Sequence, residues 1–336
     1  MNSAVISAAA ALILPNVPAY VYGRGGSELT AGIVLSVFSV TMAAVSLPVT
    51  RVLEGLPAGL PIMLGCLGYG LTLTPFILAP SIATLGIARA LQGVCSAFSF
   101  TANVAAAVQM GRRVVSVNNF VSNLGFIAGY AASSYLPNPF ETCLLLSAVS
   151  SVFGLPLLFI RIRPQEAVTR EHEYPRSFPA ALLLTLASTL PNSAVTLIAP
   201  KVEPNYGPII AAMTAAGGLA QLLGPTLGED LSAALAALLA GLSGLMGYSV
   251  ASVLLAGVAT GLMYYAANIY SGGGRGVRAI SLAIGVGYAV NQPLIGAIMM
   301  CGWDGWGLPT AVSGAMTLAA LLGTASGWMR RRDSTG

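Results

Sequence analysis

Arg89, Gln92, Ser96, Ser99 and Asn103 interrupt a long apolar stretch in steps of 3, 4, 3 and 4. That spacing places all five on one face of an α-helix. A guanidinium, two amides and two hydroxyls can grip a polar molecule, or can hydrogen-bond a neighbouring helix. Shorter stripes repeat the pattern. Asn16 and Tyr20 sit four apart beside Pro15 and Pro18. Ser188, Asn192 and Thr196 run in steps of four around Pro191, and Thr260, Tyr264 and Asn268 do the same.

Bond-making chemistry has little to stand on. His172 is the only histidine and lies in a charged stretch. Cys66, Cys95, Cys143 and Cys301 form no CxxC pair and no Cys/His cluster, so neither a metal nor a redox cofactor is expected. Gly241-Leu-Ser243-Gly244 resembles the nucleophile segment of rhomboid proteases, but that mechanism needs a histidine base within the membrane. The sequence supplies none and contains no HExxH, so an enzyme is not expected.

The elements that position these stripes follow from composition. Of 336 residues 56% are hydrophobic and 8% charged, whereas a soluble domain carries about 25% charged residues. A chain this apolar is solvated by lipid rather than water. The charges cluster between apolar runs of the length that crosses a bilayer, about 20 helical residues. Twelve such runs are read, near 3–22, 29–49, 57–79, 81–108, 115–136, 141–160, 178–200, 207–225, 231–247, 249–270, 277–300 and 307–328. The expected fold is therefore an all-α membrane protein. Its twelve transmembrane helices form two six-helix bundles, 1–161 and 178–336, joined by the polar linker 162–177. No basic residue precedes Arg24, so the first run reads as a mature helix rather than a cleaved leader.

Orientation follows from the basic residues. With the N-terminus in the cytoplasm, Arg51, Arg112, Arg113, Arg161, Arg163, Arg170, Arg176, Arg275, Arg278 and Arg330 to Arg332 all fall inside. Only Arg24 and Lys201 fall outside, in keeping with the positive-inside rule. Both termini are then cytoplasmic and the chain is expected in the cell membrane. Tyr20, Tyr22, Tyr135, Tyr206, Tyr248, Trp303 and Trp306 read as an outer aromatic belt, with Trp328 at an inner end. The basic residues form no continuous patch, so nucleic acid is not an expected partner.

Local motifs add a resemblance. Ile87-Ala-Arg89-Ala-Leu-Gln92-Gly93 resembles the RxxQG motif in the fourth span of the major facilitator superfamily. Gly125-x-x-x-Gly129-Tyr130-x-x-Ser133-Ser134 resembles that family's GxxxGPxxGG pattern, with Tyr130 in place of proline. A related stretch from Gly287 to Gly296 holds Asn291 and Gln292 in the eleventh span. Pro48-Val-Thr-Arg51-Val-Leu-Glu54-Gly resembles the gating loop after the second span, with Glu54 at the usual aspartate and the trailing basic residues missing. The resemblance covers nearly the whole chain and implies pseudo-two-fold symmetry and transport by alternating access. It also implies a chamber lined by the first, fourth, seventh and tenth spans, hence by the stripes above together with Asn291 and Gln292.

Arg89 lies deep in its span with no acidic residue inside any span to neutralise it, which favours an anionic or neutral polar solute over a cationic one. A monomer is expected. With no carboxylate or histidine within a span, facilitated diffusion or solute exchange is at least as well supported as proton coupling. A sensor that keeps the fold without moving solute is the competing reading, favoured by the reduced gating loop.

Overall fold

The computed structural model describes residues 2–110, 112–162, 178–270 and 274–333. The described residues are almost entirely helical. In chain order the helices are α1 (Asn2–Gly23), α2 (Glu28–Leu53), α3 (Gly59–Leu71), α4 (Thr74–Leu78), α5 (Ile82–Met110), α6 (Arg112–Ser133), α7 (Pro139–Val152), α8 (Phe178–Val202), α9 (Tyr206–Leu227), α10 (Glu229–Leu245), α11 (Val250–Tyr270), α12 (Gly274–Met300) and α13 (Gly307–Asp333). A 3-10 turn, Leu155–Phe159, follows α7.

Ten segments are long and apolar enough to cross a membrane by length and composition. The chain has the build of a multi-pass membrane protein. Two expected spans fall outside the ten. One is α6, which opens on Arg112 and Arg113 and carries Asn118, Asn119 and Asn123; the other is α10, which has 17 residues. The third expected span is broken into α3 and α4 just before Pro75, since a proline cannot supply the next helical N–H. The sixth likewise ends as α7 followed by a turn opening on Leu155-Pro156. The expected linker 162–177 lies, beyond Ile162, outside the described residues.

Two compact units emerge. The first takes in residues up to 167 together with 196–211 and 292–301. Within it, α1 packs on α6 and α7, α2 on α5, and α3 on α5 and α7. Small residues permit the α1–α6 contact: a methyl group on Gly125 or Gly129 would strike the carbonyls of Ala4 and Ala8. The loop after α2 is held by backbone bonds, Gly55 N to Ile162 O at 2.9 Å and Ala58 N to Ile160 O at 2.7 Å.

The second unit holds 168–195, 212–291 and 302–336, with α10 packed on α11 and α13. Alanines at 180, 181, 187, 233, 236, 240, 259, 266 and 267 dominate its core. Gly257 and Gly261 of α11 meet the backbone of Met213 and Gly217. Trp306 is wholly buried against Tyr248, their rings 5.7 Å apart and nearly perpendicular, which corrects its reading as a belt residue. Trp303 and Tyr135 are 65% exposed, as belt residues would be.

Candidate functional site

In the first unit, α5 splits the expected polar stripe into two environments. Arg89 is 1% exposed and Gln92 is fully buried. Arg89 Nη1 donates to Gln92 Oε1 at 2.8 Å, and Gln92 Nε2 donates to the Tyr69 carbonyl at 3.2 Å. The guanidinium also lies over the Phe38 ring, 4.4 Å from its centre. A cation on an aromatic face gains attraction from the ring quadrupole, more so when desolvated. Arg89 and Gln92 thus tie α5 to α2 and α3. Both are buried in the core of the first unit.

The other half of the stripe is more open. Ser96 and Asn103 are half-buried, while Ser99 is buried and donates to the Cys95 carbonyl of its own helix at 3.2 Å. Asn103 Nδ2 donates to Ser3 Oγ at 2.8 Å, and Ser3 donates to Asn118 Oδ1. Behind them Ser150 donates to Asn2 Oδ1. Sequence reasoning missed Asn2, Ser3 and Asn118. The available signal was the unusual density of asparagine in α6.

Residues at the other end of α1 make a second set of ties within the same unit. Asn16 Nδ2 donates to the carbonyls of Leu12, at 2.6 Å, and Ser133, at 3.1 Å, while Asn16 Oδ1 accepts from Tyr206 Oη at 2.8 Å. Tyr22 donates to the Leu197 carbonyl at 3.0 Å, and Lys201 forms an ion pair with Glu28. Gly32 of α2 sits against the backbone of Gln292 and Pro293, and Gly296 against that of Glu28 and Leu29. Tyr20 packs edge-on to Phe76 at 4.9 Å and to Phe140 at 6.4 Å. Thr196 is buried, and so is Gln292, whose Oε1 has no partner among the described residues.

The second unit brings together residues from three helices. The phenol of Tyr264, on α11, reaches Ser188 of α8 and Tyr288 of α12. Asn291 Nδ2 donates to Thr189 Oγ1 at 2.7 Å, a further link from α12 to α8. Asn192 is half-buried beside Ser188, donating to its carbonyl at 3.1 Å. Thr260 is buried and its hydroxyl has no partner among the described residues. Asn268 is exposed, one turn past Tyr264, and donates to that residue's carbonyl. The expected stripes of the seventh and tenth spans therefore converge, with Tyr288 as the member not foreseen. α8 from 178 to 200 and α11 carry no charged residue, so the cluster offers neutral donors and acceptors only.

The loop residues read as a gate behave differently. Arg51 and Glu54 are both exposed and form no ion pair with each other among the described residues. In the first turn of α10, Asp230 accepts from the Tyr270 hydroxyl. Ser243, the residue of the protease-like segment, is buried and donates to the Ser252 carbonyl at 2.8 Å.

The described helices have the build of a multi-pass helical membrane protein, and the fold has solved counterparts. It is similar to the crystal structure of the nucleoside transporter NupG, with a TM-score of 0.71 at 12% identity over 97% of this chain and 96% of that one. A mutant form of NupG matches with a TM-score of 0.68 at 11% identity over 97% of each chain. No family model and no curated protein matches the sequence. The partner expectation is corrected on two grounds. Arg89 already donates to Gln92 and lies over the Phe38 ring inside the bundle, and the two solved structures named above are those of a nucleoside transporter.

Proposed function

We propose that this chain is a secondary transporter of the major facilitator superfamily that carries a neutral polar solute of the nucleoside class. Its twelve spans form two six-helix bundles, 1–161 and 178–336, joined by the cytoplasmic linker 162–177, with both termini in the cytoplasm of the cell whose membrane it occupies. The bundles expose a central chamber alternately to either side.

The observation that carries this reading is the cluster of Ser188, Asn192, Tyr264, Tyr288 and Asn291 on three helices that carry no acidic residue. Polar groups are costly at membrane depth and persist where they meet a solute pathway or one another. Hydroxyls and amides match the hydroxyls and ring edges of a nucleoside, and a tyrosine ring offers a face for its base. The likeness to NupG along nearly the whole chain supports the same reading. Asn103, with Ser3 and Asn118, supplies the corresponding polar surface of the first half. The ties at Asn16, Tyr22, Glu28 and Lys201 close one end of the first unit, and solute entry there requires them to part.

The test is counterflow in proteoliposomes. Vesicles preloaded with unlabelled uridine or adenosine should accumulate the labelled nucleoside transiently, and vesicles without protein should not. The unclamped pair Arg51 and Glu54 favours the sensor reading, which predicts saturable binding to the purified protein with no counterflow for any nucleoside.

A further inference from the structure

At one end of the first unit lies a cavity of about 310 Å³. Its floor is aromatic: Tyr20, Phe76 and Phe140, with Phe76 and Phe140 ring centres 4.6 Å apart. Arg24 and Glu141 stand on its rim beside Asn138. Arg24 follows the last residue of α1, and Glu141 lies in the first turn of α7, so the cavity opens where helices end.

Several of its polar groups are unused within the chain. Asn138 precedes α7 without capping it through its side chain. Glu141 accepts no side-chain hydrogen bond among the described residues, and the Tyr20 hydroxyl is buried without a partner there. The Arg24 guanidinium lies over the Tyr20 ring, 5.4 Å from its centre, and its planar fork of N–H donors suits a phosphate or carboxylate.

We propose that this cavity binds the headgroup of a zwitterionic phospholipid with a primary ammonium, that is, phosphatidylethanolamine. The Arg24 fork matches a phosphate, which guanidinium recognises through paired donors. The Glu141 carboxylate and the Asn138 amide oxygen accept N–H bonds from the ammonium, and the aromatic floor attracts its charge. A quaternary choline has no N–H to give, and an anionic glycerol headgroup leaves Glu141 facing no cation. Helix ends bearing aromatic rings lie at headgroup level in a bilayer. The inference rests on the chain spanning a membrane and not on its moving solute, so the outcome of counterflow does not decide it.

The test is native mass spectrometry of the full chain released from mixed micelles with equal phosphatidylethanolamine, phosphatidylcholine and phosphatidylglycerol. The ethanolamine lipid should be retained about fivefold over either competitor, the scale of two exposed charge contacts. Arg24→Gln and Glu141→Gln should each remove that preference while the protein stays monodisperse. Free O-phosphoethanolamine should displace the lipid poorly. Equal retention of the three lipids would overturn the proposal, as would a preference that survives both substitutions. Full displacement by O-phosphoethanolamine would do so too, because the cavity would then be a site for a free solute. If either variant fails to fold, competition among the three lipids on the unaltered protein decides alone.

Discussion

Lys201, the only lysine of the chain, is ion-paired with Glu28, 173 positions earlier in the sequence. The pair links the start of α2 to the end of α8 within one compact unit. Beside it Tyr22 donates to the carbonyl of Leu197, one helical turn before Lys201. Both members of the pair keep solvent access, with side chains 47% and 18% exposed, so its strength is that of a surface pair, up to about 1 kcal/mol. Its importance lies in where it acts.

Lys201→Glu sets two carboxylates against each other and should loosen this end of the unit. A cysteine placed at Ala199, which is fully buried, should then react with a soluble maleimide, and Glu28→Lys in the same chain should restore its protection. Equal labelling in all three backgrounds would show that the pair holds nothing closed.

Asn16 is the residue on which three chain segments converge. Its replacement by leucine leaves the Tyr206 hydroxyl and the Ser133 carbonyl without their partner, a loss of about 1–3 kcal/mol in stability. Tyr206→Phe should cost less, near 1 kcal/mol, because only one bond is removed. Thermal unfolding of the two single variants and the double variant should give a coupling term. Strict additivity would mean that the Asn16–Tyr206 bond is not formed.

Arg89 and Gln92 make an ordering test. Gln92→Leu leaves a buried cation without its amide acceptor, and an unsatisfied buried donor of this kind costs about 1–3 kcal/mol. Arg89→Met combined with Gln92→Leu removes the charge as well. The double variant should therefore melt above Gln92→Leu alone. A lower midpoint for the double variant would mean that the guanidinium is solvated by something other than Gln92 and Phe38.

Much of this arrangement was legible before any coordinates. Apolar runs bounded by arginine located the helices, because lipid allows few other solutions for a spanning backbone. The steps between Ser188 and Asn192, and between Thr260 and Tyr264, placed those residues on single faces. The convergence of Tyr264 with Ser188 and Tyr288 depends on which helices are neighbours, which helical periodicity does not encode. The partners of Arg89 were hidden for the same reason. Its position on a stripe was correct, but its partner Phe38 is apolar and lies on another helix, so no charge pattern announced it. The break between α3 and α4 carried a signal in Pro75 that the hydropathy of 57–79 outweighed.

Tyr264→Phe deletes one hydroxyl from the neutral cluster and keeps the ring. Loss of a single solute-directed hydrogen bond corresponds to about fivefold to tenfold in apparent affinity. Uptake by the variant should fall by that factor at low solute concentration, with the unfolding midpoint changed by no more than a few degrees. Unchanged uptake would assign Tyr264 to helix packing alone.

Transport requires that the half-buried polar residues Asn103 and Asn192 each face a pathway that water and solute both reach. The direct test is labelling with a membrane-impermeant thiol reagent at Asn103→Cys and Asn192→Cys, one at a time, in a chain whose four native cysteines are replaced. Both positions should react, and a transported solute should slow the reaction at each. Failure of both to react under any condition, in a protein that remains folded, would contradict the claim.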